Sequence, residues 1–222
     1  MTINLFSIFD PSTSMNFSFN WLSMILIFFL FPFQFWLIPS RYIMLWNILF
    51  KFLLNEFKII INHTFSNLII FLSLFMTILI NNFLGLFPYI FTASSHMTFC
   101  LSISLSMWIS MMLYNIFFSF NNFLSHLTPQ GTPTILMPFM VMIELTSLII
   151  RPFTLAIRLT ANMIAGHLLL SLLGSSGSNI NNLITLIIML FSQTLLMILE
   201  MSVTFIQAYV FSILSTLYSS ES

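Results

Sequence analysis

Long runs of apolar residues alternate with short polar stretches along the whole chain. A helix needs about 20 mostly apolar residues to cross ~30 Å of hydrocarbon. Five runs approach or exceed this length, and they cover residues 17–38, 66–87, 97–120, 135–173 and 183–218. The pattern predicts one membrane domain over residues 1–222, an all-α polytopic membrane protein with about five membrane-crossing helices.

Residues 41–62 break this pattern with regularly spaced polar residues. Positions three or four apart are held by Asn47, Lys51, Asn55, Lys58 and Asn62. They share one helix face, which predicts an amphipathic helix that lies in the membrane interface. The segment carries three of the five basic residues, so the positive-inside rule places it on the matrix or cytoplasmic side.

The last two apolar runs are nearly twice as long as the hydrocarbon core is thick. Residues 135–173 and 183–218 would reach about 58 Å and about 54 Å as helices. Such segments must tilt, kink or protrude, and a polar connection over residues 174–182 joins them. We therefore expect a long, steeply tilted hairpin. Residues 121–134, which are rich in turn formers, are expected to form the turn before it.

The composition excludes a water-soluble domain. Hydrophobic residues make up 59% of the chain and charged residues 5%, with a mean hydropathy of +1.07, whereas soluble domains carry about 25% charged residues. The net charge is zero, so no basic field attracts nucleic acid. Cys100 is the single cysteine, which excludes an internal disulfide. No metal-ligand spacing, nucleotide-binding glycine motif or nucleophilic triad is present, so we expect no cofactor and no catalysis by this chain alone.

Residue usage and the N-terminal segment indicate where the chain is made. Residues 1–14 contain no basic residue and carry Asp10 before Pro11, which suits neither a secretory nor a mitochondrial presequence. Phe and Met are abundant, with 28 and 16 copies, where Val and Ala would serve as well. This usage is typical of a small, A/T-biased organellar genome. We expect an organelle-encoded protein with no cleaved presequence.

A polar stripe follows the first long helix. Glu144, Arg151 and Arg158 are seven residues apart and share one face, and Asn162 joins them four residues after Arg158. An arginine stays protonated at any cellular pH. Because a charge at membrane depth is costly, such a residue marks a functional site with a partner. Arg158, near the middle of its apolar run, is the strongest candidate.

The second long helix repeats the pattern with Gln193, Glu200 and Gln207. In an antiparallel hairpin, Arg158 pairs with Gln207 and His167 pairs with Glu200 in a single register, because the residue numbers of both pairs add up to nearly the same value. We expect the two members of each pair to lie at a common helical level.

Titratable residues lie on both sides of the arginine. Glu144, His167 and Glu200 can each bind and release a proton, and histidine does so near neutral pH. Arg158 cannot relay a proton, but it favours the ionised form of a nearby carboxylate. A continuous water wire would dissipate about 2.3 kcal/mol per proton at 100 mV. This order, with Glu144 before Arg158 and with His167 and Glu200 after it, is the one expected of two half-channels separated by a fixed positive charge.

Other interpretations of the same residues stay open. Glu144 and Arg151 would also make a simple ion pair, and His167 would also serve as a hydrogen-bonded packing residue. Gln193 would also serve in helix packing. The histidines that fall near predicted turns or interfaces, where a solvated or structural role is expected, are His63, His96 and His126.

Five blocks of sequence carry a family resemblance. The most specific block is LAIRLTANMIAGHLL, and a second one near the C-terminus is IQAYVFSILSTLY. Two further blocks are NNFLGLFPYIFTASSH and LTPQGTPTILMPFMVMIE, and the start NLFSIFDPSTS is similar to that of arthropod members. Through these blocks almost the whole chain resembles subunit a of F-type ATP synthases, in its mitochondrial animal form.

The resemblance implies a proton-conducting stator in the mitochondrial inner membrane, which performs no covalent chemistry itself. Its partners would be a ring of c subunits, the peripheral stalk, small hydrophobic subunits and lipid, with protons as the transported ion. By position, Arg158 would be the essential arginine that meets the ring carboxylate, and Asn162 and Gln207 would lie close to it.

The resemblance also implies a proton path. His167 and Glu200 would line the half-channel from the intermembrane space, and Glu144 would belong to the half-channel toward the matrix. Arg151 departs from the family, where many relatives have a neutral residue, so pairing with Glu144 and reaching the interface are both open to it. The alternatives are a proton-coupled secondary transporter, which needs an inverted repeat that we do not find, and a structural membrane subunit of a respiratory complex.

Overall fold

The computed structural model describes residues 5–14, 17–30, 34–61, 65–128, 133, 135–177 and 182–221, and every named element in them is helical. The α-helices are α1 (Leu26–Leu30), α2 (Arg41–Ile60), α3 (Phe65–Gly85), α4 (Met97–Phe118), α5 (Phe120–Leu127), α6 (Met137–Gly177) and α7 (Leu183–Glu221). Short 3-10 segments cover Leu5–Phe9, Phe19–Ile25 and Ala93–Ser95. The predicted all-α class is confirmed.

Within the described ranges, four helices are long and apolar enough to cross a membrane. They cover Asn67–Gly85, Met97–Phe118, Met137–Gly177 and Leu183–Ser220, so the chain is a multi-pass membrane protein. Among the described residues of the first apolar run, residues 17–38, helix covers Phe19–Leu30, which is shorter than a crossing requires. Residues 31–33 of that run lie outside the described residues, so a fifth crossing stays a prediction.

Helix α2 begins and packs as an amphipathic helix does. The Ser40 side chain accepts a hydrogen bond from the Ile43 N–H at 3.4 Å, which caps an otherwise unpaired donor. Leu53 and Phe57 are buried, whereas Lys51 and Lys58 are exposed. One face of α2 therefore packs on the bundle and the other carries the charges. Asn62, the last member of the predicted polar face, lies outside the described residues.

The core of the bundle lies between four long helices. Helix α7 packs between α3 and α6, α4 packs on the other side of α6, and α2 lies against α3 and α7. Buried side chains from all five helices form one apolar cluster, which includes Phe57, Phe71, Cys100, Leu159 and Phe211. Hydroxyl groups inside the bundle donate to carbonyls one turn earlier in the same helix, as Thr160, Thr204 and Ser215 do, so they need no partner from another helix.

Two predicted connections are shorter than expected. Residues 121–134 were expected to form a turn, but α5 covers Phe120–Leu127, so that prediction is wrong for its first half. The reason is the spacing of Phe120, Phe123, Leu124 and Leu127, which places an apolar stripe on one helix face. The polar connection at 174–182 also begins late, because α6 continues to Gly177. Residues 129–132, 134 and 178–181 lie outside the described residues.

The turn between α3 and α4 follows the sequence signal at Pro88 and Tyr89. Tyr89 has a φ of 70°, a left-handed conformation that is uncommon for a bulky residue. Helix α6, in contrast, continues through the buried Pro152. Proline has no N–H, so the carbonyl of Leu148 loses its helical donor. Leu148 lines the cavity described below.

Candidate functional site

Three contacts define how α6 and α7 pair. Arg158 and Gln207 line one crevice between the helices. A Cβ atom added to Gly166 would lie 2.7 Å from Glu200 Oε1. Further along, Gly177 lies against the side chain of Met189. The three contacts fit one antiparallel register, the one that the pairing of Arg158 with Gln207 predicts from sequence.

This register brings the Glu200 carboxyl group to the turn of α6 that carries His167. Glu200 is 7% exposed, and His167 follows the glycine that Glu200 packs against. Both Glu200 oxygens and His167 Nε2 are buried without a hydrogen-bond partner among the described residues. A buried ionisable group is costly unless it is paired or neutral. Among the described residues, Glu200 and His167 form no ion pair with each other, and each is a group that can bind and release a proton.

The local sequence explains why Glu200 reaches this position. Gly166 has no side chain, so α7 approaches α6 closely there, and the Glu200 carboxyl fills the space that a Cβ would occupy. The N-terminal segment covers the neighbouring imidazole, since the Phe9 ring meets the His167 ring edge-on with 6.4 Å between centroids. Close helix packing therefore positions Glu200, and an aromatic ring lies against His167.

Arg158 lies on the outer face of α6. Its side chain is exposed, and so are those of Ile157, Ala161 and Ala165. In the part of the chain that the structure describes, no carboxylate pairs with Arg158. Asn162, one turn further on, is half-buried. Because small residues on a membrane helix let a neighbouring backbone come close, this face leaves room for another helix to approach Arg158.

A second polar group lies two helical turns before Arg158. The Arg151 guanidinium is 4.0 Å from Glu144 Oε1, so the simple ion pair left open by the sequence is present. The Arg151 Cζ atom also lies 4.9 Å from the centre of the Tyr218 ring, a favourable cation–π distance. Two contacts from two helices therefore hold Arg151 within the bundle.

The Glu144–Arg151 pair lines a cavity of about 350 Å³. The cavity lies where α4 and α5 meet α6 and the end of α7, and its wall includes Trp108, Asn115 and His126. Trp108 Nε1 and Asn115 Oδ1 are buried without a hydrogen-bond partner among the described residues. The residues around this cavity thus include both charged groups and polar atoms without a hydrogen-bond partner among the described residues.

The structure places the site residues predicted from the sequence in three separate groups. One contains Glu200 beside the turn that carries His167, another contains Glu144 with Arg151, and Arg158 with Gln207 lies between them along α6. Gln193 is half-buried on α7, two turns from Glu200 toward the connection.

Several residues that complete these groups were missed at the sequence level. They are Phe9, Trp108, Asn115, His126 and Tyr218. Four of the five come from other helices or from the N-terminal segment, and Tyr218 approaches only through the hairpin register. The signal for Tyr218 was present in that register, which pairs it with the turn between Glu144 and Arg151.

Known proteins similar to this chain share its full length. A family model described as ATP synthase A chain matches residues 17–220. Proteins named ATP synthase subunit a from Anopheles quadrimaculatus and Drosophila melanogaster are each 53% identical to the chain, and that of Locusta migratoria is 55% identical. Each alignment covers 100% of this chain and 99% of the relative.

Proposed function

The chain belongs to the ATP synthase A chain family and is a non-catalytic component of an ATP synthase, and from this premise we propose that it conducts protons through two offset half-channels that end on either side of Arg158. The transported proton would pass through a carboxylate carried by a ring of c subunits. The chain would lie in the mitochondrial inner membrane beside the peripheral-stalk and small hydrophobic subunits.

The observation that carries this proposal is the position of Arg158. A permanent cation on the outer face of a membrane helix, flanked by Ala161 and Ala165, requires a negative partner from outside the chain. A passing carboxylate would stay ionised beside it and would be protonated again once it moved away. The same charge repels a proton that takes the direct path between the half-channels, so proton flow stays coupled to movement of the partner.

The half-channels are assigned from the two groups of titratable residues. Glu200 and His167 supply buried proton-exchanging groups on the hairpin side of Arg158, which we assign to the intermembrane space. Glu144 lies in the cavity at the opposite end of α6, on the side that carries the basic helix α2. Since two crossings, α3 and α4, separate α2 from this cavity, both lie on the matrix side.

The decisive test replaces Arg158 by a neutral residue in the intact complex. The Arg158→Gln variant of the whole ATP synthase, reconstituted into vesicles, is expected to assemble and to lose proton-driven ATP synthesis by at least about a hundredfold. Arg41→Gln is the matched control, because it removes the same charge from an exposed position on α2. The control is expected to synthesise ATP at the normal rate.

Three results would contradict the proposal. Normal proton-driven synthesis by Arg158→Gln would exclude the arginine as the separator of the half-channels. Poor assembly with intact proton flux in the complexes that do form would favour a structural membrane subunit instead. Proton flux that continues without any ring of small partner subunits would favour a secondary transporter.

A further inference from the structure

The cavity beside Glu144 is built to hold water. Its volume of about 350 Å³ leaves room for roughly ten water molecules at ~30 Å³ each. Asn115 and Trp108 line it, and each carries a buried polar atom without a hydrogen-bond partner among the described residues, Oδ1 and Nε1 respectively. Leu148, whose carbonyl lacks its helical donor because of Pro152, lines the cavity as well. Buried polar atoms of this kind normally bond to ordered water.

One side chain touches both this cavity and the outside. His126 lines the cavity and is nevertheless exposed on the last turn of α5. The charged or titratable groups that share the cavity with it are Glu144 and Arg151 on α6 and Tyr218 on α7. Among these, histidine alone exchanges protons near neutral pH without help from its surroundings.

The ion pair occupies part of the cavity wall. Arg151 lies 4.0 Å from Glu144 Oε1, and both side chains are half-buried. A proton that leaves Glu144 must be taken up by another group or by water. An exposed imidazole on the same cavity wall supplies an acceptor with access to the outside.

We infer that His126 is the terminal proton-exchanging residue of the half-channel that contains Glu144. It accepts a proton on its free ring nitrogen from the water in the cavity and donates the proton on the other nitrogen to the aqueous phase. Rotation or exchange then restores the starting tautomer, and no other reactant is needed. The inference rests on the proposed function. It adds to the proton path a residue of α5, a helix that was not predicted from the sequence.

The test measures proton flux through the intact ATP synthase in vesicles. His126→Ala is expected to lower flux by about tenfold at neutral pH and to weaken its dependence on pH between about 6 and 8, the range in which histidine titrates. Free imidazole added on the matrix side is expected to restore flux in His126→Ala but not to raise it in the unaltered protein. Asn121→Ala, an exposed change on the same helix, is the control and is expected to conduct normally.

His126→Gln separates proton transfer from structure, because glutamine forms hydrogen bonds but does not titrate. Low flux in His126→Gln, with normal amounts of assembled complex, supports the inference. Normal flux in either His126 variant would overturn it, and so would a loss in His126→Ala that imidazole does not repair. If Arg158→Gln still blocks ATP synthesis in that case, the proposed function stands and only the role of His126 is lost.

Discussion

Gly166 on α6 and the Glu200 side chain on α7 are in close contact, because a Cβ at position 166 would lie 2.7 Å from Glu200 Oε1 and 3.0 Å from Glu200 Cδ. Any larger residue at position 166 must displace the carboxyl group. The contact ties a packing requirement to the group that we propose exchanges protons, so changes at the glycine test the role of Glu200 without altering its chemistry.

The first prediction concerns this contact. Gly166→Ala should push the Glu200 side chain out of its position and lower proton flux in vesicles by roughly tenfold, the change that ~1.4 kcal/mol produces in a rate. Gly174→Ala is the matched control, since a Cβ there meets nothing within 4 Å. The control should conduct normally and stabilise α6 by about 0.5–1 kcal/mol, because alanine favours helix more than glycine does. Equal flux in the two variants would show that the position of Glu200 is unimportant.

The second prediction concerns the carboxyl group itself. Glu200→Gln keeps the size of the side chain and its ability to form hydrogen bonds, but the amide cannot bind and release a proton. Passive proton conduction should fall by about tenfold or more, a typical loss when a proton-transfer group is removed, while the amount of assembled complex stays near normal. Ser202→Ala, at an exposed position of the same helix, should change neither quantity. Unchanged conduction in Glu200→Gln would remove Glu200 from the proton path.

The third prediction concerns the turn that follows α3. A Cβ on Gly85 would lie 2.8 Å from Thr92 Cγ2, so Gly85→Ala should destabilise the protein by ~1–3 kcal/mol through overpacking. Thr92→Ser removes that methyl group and keeps the hydroxyl that donates to Ser95 Oγ at 3.1 Å. Adding Thr92→Ser to Gly85→Ala should therefore restore most of the lost stability.

A double-mutant cycle measured by thermal unfolding of the purified complex checks this prediction. Simple additivity of the two changes would mean that the methyl group is not the obstacle. Thr92→Ser alone should have a small effect, since the hydrogen bond inside the 3-10 segment is kept.

The sequence predicted the long helices and their pairing because both depend on local periodicity. Polar residues seven apart on two apolar helices allow few registers, and the contact between Gly166 and Glu200 fits the one chosen. Helix α5 was missed because turn-forming residues in the second half of 121–134 concealed the apolar spacing of Phe120, Phe123 and Leu124 in the first half.

The convergence of groups around Glu144 could not be predicted in the same way. Asn115 and His126 reach the cavity through the packing of α4 and α5 on α6, and one sequence contains no periodic signal for contacts between separate helices. Phe9 reaches His167 across more than 150 residues of chain for the same reason. Local pattern determines each helix face, whereas the partners of that face depend on the whole bundle.

The outward-facing guanidinium of Arg158 has a consequence for biogenesis. A copy released alone into the bilayer would present a bare charge to acyl chains, and water and lipid headgroups would be drawn inward to solvate it. We expect membrane proteases to degrade an unassembled subunit of this kind. We therefore expect the subunit to become stable in the membrane only once a partner covers this charge.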